Sequence, residues 1–304
     1  MPEKLNFLIP LDFLPESETA LQYAVGVGKT VHATVHLLHI LEEESPLHRL
    51  VIKDEQRDMI RRGATDKLDE LAGKTVSQSG LSFTTSVRQG KIYEQIIQAA
   101  RELKADIIFM GRTDSSDVKK NITGTNTMHI IKEAEIPVVT LRKKPENQGC
   151  SHIILPLDLC KQTIIQASNA VASAHMLNAM ITVISIVPDN RKSTEIKFTQ
   201  RLDEIRNIFE KLDIECGIKL IPYRDENQFK LLNNLIRELQ GELLMIMTQQ
   251  ELNFTDYFIG SRAQEIINKS DFPVMSISPM AGEKSGIPDP LSDVFINPIK
   301  ILDH

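Results

Sequence analysis

Residues that could hold an anionic ligand lie where the predicted strands of the first half of the chain end. The segment GRTDSSDVKKNITGT, residues 111–125, follows the fourth predicted strand and leads into a predicted helix at Gly124–Thr125. Glycine lets a backbone approach a phosphate closely, and the N–H groups at a helix N-terminus can bind an anion. The candidate binding residues at these strand ends and in this loop are Pro10, Leu11, Asp12, Ile40, Met110, Gly111, Asp114, Gly124, Thr125 and Asn126.

A second glycine-rich segment does not fit a phosphate-binding loop. Residues 26–30 read GVGKT, which is similar to the end of a P-loop. That motif needs glycine five residues before the glycine of its GK[ST] ending, and Tyr23 occupies the position. The segment also ends a predicted helix, so we exclude it.

Three histidines near the second predicted strand are close enough in sequence to suggest a metal site, but their spacing does not support one. His32, His36 and His39 lie close together in the sequence. In a strand, however, His36 and His39 point to opposite faces because they are an odd number of residues apart. We therefore expect partly buried or strand-end histidines and no metal.

The elements that must position the candidate residues occur twice. FLIPLDF at residues 7–13 matches IILPLDL at residues 153–159, a shift of 146. Further on the shift is 136, and it places residues 106–110 (DIIFM) on 242–246 (ELLMI). We predict domain one at residues 1–146, domain two at residues 150–280, and a tail at residues 281–304. The polar segment KKPENQG, residues 143–149, is the predicted linker.

Short apolar runs alternate with amphipathic segments within each copy. FLIPL reads as a strand buried on both faces, and Ser17 could cap the helix that follows. Residues 53–71 read as a charged helix, and residues 136–141 as the last strand. Such alternation is typical of an α/β fold. We expect two tandem Rossmann-like domains, each a five-stranded parallel sheet with helices on both faces.

Composition excludes several classes of protein. The 304 residues carry a net charge of −6 with no basic stripe, so we expect neither nucleic-acid nor membrane binding. The three cysteines form no CxxC pair, and the first residues lack a signal peptide. No apolar run approaches the ~20 residues of a membrane span. We therefore expect a cytoplasmic protein.

These motifs resemble those of the universal stress protein family over both copies. Members begin with a strand that ends in P-x-D and later carry G-x2-G-x9-G-[ST]. The resemblance implies an adenine nucleotide alpha hydrolase-like fold. It also implies that Asp12 recognises the ribose or base and that Ile40 and Met110 line the adenine slot. By the same resemblance, Gly111, Gly124 and Thr125 hold the phosphates.

The loop departs from the family pattern at Asp114, which replaces the second glycine. A carboxylate ~5 Å from a phosphate charge costs about 3 kcal/mol at an effective dielectric constant near 20. Mg²⁺, or Arg112, Lys119 and Lys120, could offset that cost. Alternatively, the loop only turns, with Asp114 as a turn residue.

The second copy keeps less of the motif. Met247 replaces Gly111 and Gln250 replaces Asp114, so only Gly260–Ser261 survives. Asp158 matches Asp12, although aspartate at a strand end also serves as a turn residue. We expect domain two to be a packing domain.

The predicted function is that of a non-enzymatic stress-response module of the cytoplasm that binds ATP, with Mg²⁺, in domain one. The alternatives are a slow Mg²⁺-dependent ATPase and a ligand-free scaffold for an unidentified protein partner. The resemblance further implies pairing through the last strands, residues 136–141 and 272–277. Such pairing would form an intramolecular pseudo-dimer, and a homodimer is a further expectation.

Overall fold

The computed structural model describes residues 4–42, 54–112, 121–157, 163–187, 191–222, 228–248 and 261–278. The strands within these ranges are β1 (Asn6–Pro10), β2 (Thr34–Glu42), β3 (Ser82–Gly90), β4 (Ile107–Gly111), β5 (Val138–Leu141), β6 (His152–Pro156), β7 (Met180–Ile186), β8 (Cys216–Ile221), β9 (Leu243–Met247) and β10 (Val274–Ile277). The helices are α1 (Pro15–Val31), α2 (Asp54–Ser79), α3 (Ile92–Glu102), α4 (Asn121–Glu133), α5 (Thr163–Leu177), α6 (Lys192–Lys211), α7 (Gln228–Glu238) and α8 (Ser261–Lys269). The predicted tail lies outside the described residues.

One sheet of ten strands runs through both domains. The strand order is β3-β2-β1-β4-β5-β10-β9-β6-β7-β8, so each domain contributes five adjacent strands in the same relative order. Every pairing within a domain is parallel. The predicted α/β class and the five parallel strands of each domain are confirmed, and the two sets of strands join into a single sheet.

The domains meet where β5 pairs with β10 in antiparallel orientation. Val139 lies opposite Met275 at the centre of this pairing, and both side chains are fully buried. The Thr140 hydroxyl lies 3.5 Å from the Val274 carbonyl oxygen across the seam. The expected intramolecular pairing of the two last strands is therefore present.

Helices cover both faces of the sheet, as expected for buried parallel strands. On one face, residues of α1, α2, α5 and α6 pack against alternate strand residues such as Phe7, Ile9 and Leu37. On the other face, α3, α4, α7 and α8 pack against the intervening residues, among them Leu8 and Leu38. This alternation assigns each strand residue to one face of its domain.

Two predicted element boundaries are corrected by the structure. The first helix begins at Pro15, and the Ser17 hydroxyl donates a hydrogen bond to the Leu14 carbonyl oxygen at 3.0 Å instead of capping the helix. Proline suits the first helical position because its missing N–H would have no partner there. The second helix, predicted to end at Leu71, continues to Ser79 through Gly73.

The linker is docked against both domains. A Cβ added to Gly26 of α1 would lie 1.6 Å from the Gln148 carbonyl oxygen, so only glycine allows this approach. The Glu242 carboxylate accepts hydrogen bonds from the Ser151 amide at 2.6 Å and from the Asn147 side chain at 2.9 Å. Gly26, from the segment that is similar to a P-loop, therefore serves interdomain packing.

Among the helices that the structure describes, none combines the length and apolarity needed to cross a membrane.

Candidate functional site

The carboxylate of Asp12 lies at the carboxyl end of β1, exposed to solvent. Its Oδ1 accepts a hydrogen bond from the Leu14 amide at 3.0 Å. This bond closes the tight connection between β1 and α1 and holds the carboxylate at the sheet edge. Asp12 therefore acts as a turn residue, and exposure leaves its outer side accessible to a ligand hydroxyl.

The apolar candidates Ile40 and Met110 lie on the same face of the sheet. Met110 is buried at the end of β4, and half-buried Ile40 lies near the end of β2. Both belong to one cluster of side chains that also includes Met128 of α4. The structure thus places the side chains at these two strand ends, and Met128 of the helix that follows the candidate loop, on one face of the sheet.

Pro10 and Leu11 take different positions at the same edge. Pro10 is half-buried as the last residue of β1. Leu11 is 3% exposed, and its side chain packs in the cluster on the opposite face, with Phe7 and Ile9. Its amide donates a hydrogen bond to the Leu38 carbonyl oxygen at 2.8 Å. Leu11 can therefore contribute to a ligand site on the Ile40 face only through its backbone.

Gly111 is needed for packing against α1. A Cβ added there would lie 2.2 Å from the Glu16 carbonyl carbon and oxygen and 2.5 Å from the Ser17 nitrogen. These distances are far below van der Waals contact, so the start of α1 can sit over β4 only because residue 111 lacks a side chain. The glycine that the sequence assigned to phosphate approach has a structural role.

The loop glycine at position 124 lies inside a helix. The structure starts α4 at Asn121, so Gly124 and Thr125 belong to its early turns and do not open it. The N–H groups without intrahelical partners are those of the first residues of a helix. The amides best placed for an anion are therefore those around Asn121, about three residues earlier than predicted. Asn126 is half-buried in the same helix.

Asp114, Lys119 and Lys120 lie outside the described residues, whereas Arg112 lies within them. Arg112 directly follows β4 and is 7% exposed. Its amide donates a hydrogen bond to the Leu141 carbonyl oxygen at 2.7 Å, which extends the β4–β5 pairing by one residue. The backbone of Arg112 is thus fixed at the start of the candidate loop.

An aromatic stack beside Asp12 was not predicted. Phe13 has a φ of 62°, in the left-handed region, and its ring centroid lies 4.6 Å from that of His39. The Lys67 ammonium lies 4.3 Å from the same ring centroid. His39 Nδ1 donates a hydrogen bond to the Leu11 carbonyl oxygen at 2.7 Å. These contacts hold the loop after β1, and no local motif signals them because the three residues are far apart in sequence.

Different side chains occupy the corresponding strand ends of domain two. Met247, which matches Gly111, is 5% exposed and packs in the hydrophobic core. Ile186 and Ile246 repeat the positions of Ile40 and Met110 and lie on the same face as they do. Asp158, Gln250 and Gly260 lie outside the described residues. Domain two therefore keeps the apolar positions but carries a bulky side chain where domain one has its packing glycine.

Several histidines and cysteines of the described residues lie in buried or half-buried positions of the fold. His36 Nδ1 lies 2.5 Å from the Thr84 hydroxyl, and burial lowers the pKa of this imidazole. Cys150 and Cys216 are buried free thiols, and burial raises the pKa of each to about 12. Within the described ranges, no group of three or more His, Cys, Asp or Glu residues could hold a metal ion.

Comparison with known proteins identifies the family of the first half of the chain. The profile of the universal stress protein family matches residues 5–142. Two universal stress proteins of Methanocaldococcus jannaschii are 24% identical over 146 residues and 25% identical over 156 residues. The two alignments cover 47% and 46% of this chain, and 84% and 95% of the relatives.

Solved structures resemble the whole chain. A universal stress protein from Archaeoglobus fulgidus superposes with a TM-score of 0.66 at 18% identity, covering 90% of this chain and 96% of its own. A functionally unknown protein from Pseudomonas aeruginosa has a TM-score of 0.61 at 15% identity, with 92% and 95% coverage. At these identities the likeness concerns the fold. The chain therefore carries a domain of the universal stress protein family at residues 5–142, and its 304 residues fit a tandem arrangement of two such domains.

Proposed function

We propose that domain one binds ATP with Mg²⁺ at the carboxyl edge of its strands, as a non-enzymatic regulatory module of the cytoplasmic stress response. The observation that carries this proposal is the common placement of Ile40 and Met110. Both lie on one face, in the cluster that includes Met128 of α4. Apolar side chains at two strand ends, beside a helix that begins at the same edge, suit the face of a planar base that carries a phosphate chain.

Each part of a nucleotide has a suitable group at this edge. The exposed carboxylate of Asp12 can accept hydrogen bonds from ribose hydroxyls. The first amides of α4 and the buried cation of Arg112 suit phosphate oxygens. Some members of the universal stress protein family bind nucleotides, which supports the same assignment.

We assign the magnesium ion to the nucleotide, not to a preformed protein site. Among the described residues, no cluster of three acidic, histidine or cysteine side chains is present. Mg²⁺ is usually bound through one or two carboxylates together with substrate phosphates. Mg²⁺ held by the phosphates would also offset the repulsion between Asp114 and the phosphate chain.

Domain two is proposed to bind no nucleotide. Met247 places a buried side chain where domain one requires glycine, so the strand edge is packed differently. Its proposed role is to complete the ten-stranded sheet by pairing with β5.

The test is isothermal titration of the full chain with ATP and Mg²⁺. We expect one saturable site per chain, lost in Gly124→Val. Gly260→Val, the matched change in domain two, should leave the site intact. Circular dichroism checks that both variants remain folded.

Three results would contradict parts of this proposal. Equal loss in Gly260→Val would exclude domain one as the specific site. Steady phosphate release that disappears in Gly124→Val would show a slow ATPase. The absence of saturable heat with wild type would leave a scaffold whose partners are proteins.

A further inference from the structure

Two arginines of domain one follow adjacent strands at the rim where the candidate site lies. The pairing of β4 with β5 ends with Gly111 opposite Leu141. Arg112 and Arg142 are the residues that follow. The Arg112 amide donates a hydrogen bond to the Leu141 carbonyl oxygen at 2.7 Å, which keeps the two chains side by side. Because neighbouring strands are about 4.8 Å apart, the two arginines start from adjacent positions of the backbone.

Strand alternation places Arg112 on the same face of the sheet as Met110. Met110 packs in the cluster covered by α3 and α4, whereas a Cβ added to Gly111 would meet the start of α1 on the other face. Since successive strand residues point to opposite faces, Arg112 returns to the Met110 face. The helix α4 covers this face and follows β4 in the chain. Arg112 therefore lies on the face, and at the rim, that we propose to bind phosphate.

Arg142 points to the same face, because its partners from domain two lie there. Its guanidinium forms an ion pair with Asp271, which precedes β10. The start of β10 lies beside the end of β5 because these two strands are antiparallel. Asp271 also lies 3.4 Å from Arg237 at the end of α7, a helix that covers the Met110 face. The Arg142 side chain, 21% exposed, is thus held at the seam on the face that carries Arg112.

Asp271 is an anion of domain two that lies against cations of domain one. Lys143 Nζ lies 3.0 Å from its carboxylate, in addition to the ion pair with Arg142. Burial raises the pKa of Asp271, but hydrogen bonds from Lys143 and Arg142 outweigh that effect and lower it overall. Carboxylates and phosphates bind the guanidinium group through the same fork of N–H donors. Asp271 therefore binds Arg142 in the way that a phosphate group would.

Domain two carries no arginine at the two matching positions. The shift of 136 places Arg112 on Thr248 and Arg142 on Ser278, which carry no charge. The backbone arrangement is nevertheless repeated, because the Thr248 amide donates a hydrogen bond to the Ile277 carbonyl oxygen at 3.1 Å. The strand pairing itself therefore does not require arginine at these positions.

We propose that Arg142 exchanges partners when domain one binds a phosphate-bearing ligand. Its guanidinium leaves Asp271 of domain two and, together with Arg112, binds the phosphate groups. This exchange rests on the nucleotide binding proposed for domain one and concerns its regulation. Asp271 competes with the phosphate, so domain two lowers the anion affinity of domain one. Bound phosphate in turn weakens the ion pair across the seam, because coupling between two sites is reciprocal.

The test is titration calorimetry of the full chain with two probes, ATP and inorganic tripolyphosphate, each with Mg²⁺. Asp271→Asn removes the competing charge, and we expect both probes to bind about threefold to tenfold more tightly. The same variant should have a lower thermal unfolding midpoint without ligand, because ion pairs at the seam are lost. A purely structural role of Asp271 would lower stability without raising affinity.

Two further variants complete the test. Asp203→Asn is the matched control, because it removes the same charge from an ion pair with Arg206 in α6, and it should leave both affinities unchanged. Arg142→Gln should weaken the binding of both probes about tenfold or more. In the Arg142→Gln background, Asp271→Asn should raise the affinity by less than about twofold, because the two side chains act as one pair.

The possible outcomes distinguish the exchange from nucleotide binding itself. If wild type binds ATP and Gly124→Val does not, but Asp271→Asn binds no more tightly than wild type, the exchange is excluded and the nucleotide site stands. If Asp271→Asn binds tripolyphosphate more tightly than wild type while neither binds ATP, nucleotide binding is excluded and the exchange stands. Binding of neither probe to either protein overturns both.

Discussion

His36 in domain one and His152 in domain two occupy opposite ends of the same repeated contact. The shift of 146 places Asn6 on His152 and His36 on Thr182. In domain one, His36 Nε2 lies 3.3 Å from the Asn6 side-chain oxygen, and in domain two His152 Nε2 lies 2.7 Å from the Thr182 hydroxyl. The imidazole has changed strands between the copies, while a polar contact between the first and second strands has been kept.

Both histidines should make the protein less stable in mild acid. Burial is the main cause that lowers the pKa of His36 and of His152 below the usual value of 6.5. The folded state therefore favours neutral imidazoles. The contribution of the neutral imidazoles to the stability of the folded protein is complete above pH 6.5. It is lost as the pH falls through the lower pKa values of the folded state.

The measurement is urea unfolding between about pH 7 and pH 5. The double variant His36→Gln/His152→Gln should show a smaller loss of unfolding free energy over this range than wild type. His32→Gln, a change at an exposed position, is the matched control. An unchanged slope in the double variant would show that other groups govern acid stability.

Gly111→Ala should destabilise domain one without any ligand present. The new methyl group would collide with the backbone of Glu16 and Ser17. We expect a loss of about 1–3 kcal/mol in unfolding free energy, as for other overpacked sites. Gly73→Ala in α2 is the control, because a Cβ there meets nothing within 4 Å. That helical site should gain up to about 1 kcal/mol. Equal stability of the two variants would contradict the packing role of Gly111.

The buried thiols should resist chemical modification in the folded protein. Their ionisation in strong alkali should lower the free energy of unfolding. Burial, and to a smaller extent the negative charge of Glu242, raise the pKa of Cys150 to about 12. Burial and the charge of Glu210 raise the pKa of Cys216 to about 12 as well. A raised thiol pKa gives stability that is present below the usual value of 9.0 and is lost as the pH rises towards 12.

A Cys160→Ser background restricts the measurement to these two thiols. A disulfide reagent at neutral pH should label neither thiol until denaturant is added. Cys150→Ala in that background should reduce the dependence of unfolding free energy on pH above 9. Rapid labelling of folded protein would show that the Cys150 or Cys216 site opens readily.

Two substitutions of Asp12 should distinguish the role of its side chain in the turn from its role in ligand binding. Asp12→Asn can still accept the hydrogen bond from the Leu14 amide, whereas Asp12→Ala cannot. If the carboxylate binds ribose hydroxyls, both variants should weaken ATP binding, by roughly tenfold to a hundredfold. Only Asp12→Ala should also lower stability. Titration calorimetry with Asp158→Ala as the domain-two control checks this, and full affinity in Asp12→Asn would exclude a role for the charge.

The architecture could be predicted because its signals are local and repeated. Apolar runs such as FLIPL and IILPL mark buried strands, and their recurrence marks two domains. Strand starts were less accurate. The predicted last strands begin at Ile136 and Phe272, but the observed ones begin at Val138 and Val274. Pro137 and Pro273 precede them, and proline cannot donate to the ladder.

The candidate site was less predictable because its determinants are contacts across the sequence. The proximity of Gly111 to Glu16 depends on how α1 crosses β4, which no motif encodes. The Phe13–His39–Lys67 stack likewise joins three separate elements. The sequence shows which residue type occupies a position. Only the fold shows which neighbouring atoms require that residue type there.

The antiparallel seam gives the chain two ends that face opposite ways. Because β5 and β10 run in opposite directions, the strands of domain one end at one rim of the sheet and those of domain two at the other. Ten strands spaced about 4.8 Å apart form a band roughly 43 Å wide. A molecule bound at the rim beside Asp12 leaves the rim beside Met247 uncovered. The strand ends that carry the candidate site in domain one and the matching strand ends of domain two therefore face opposite directions.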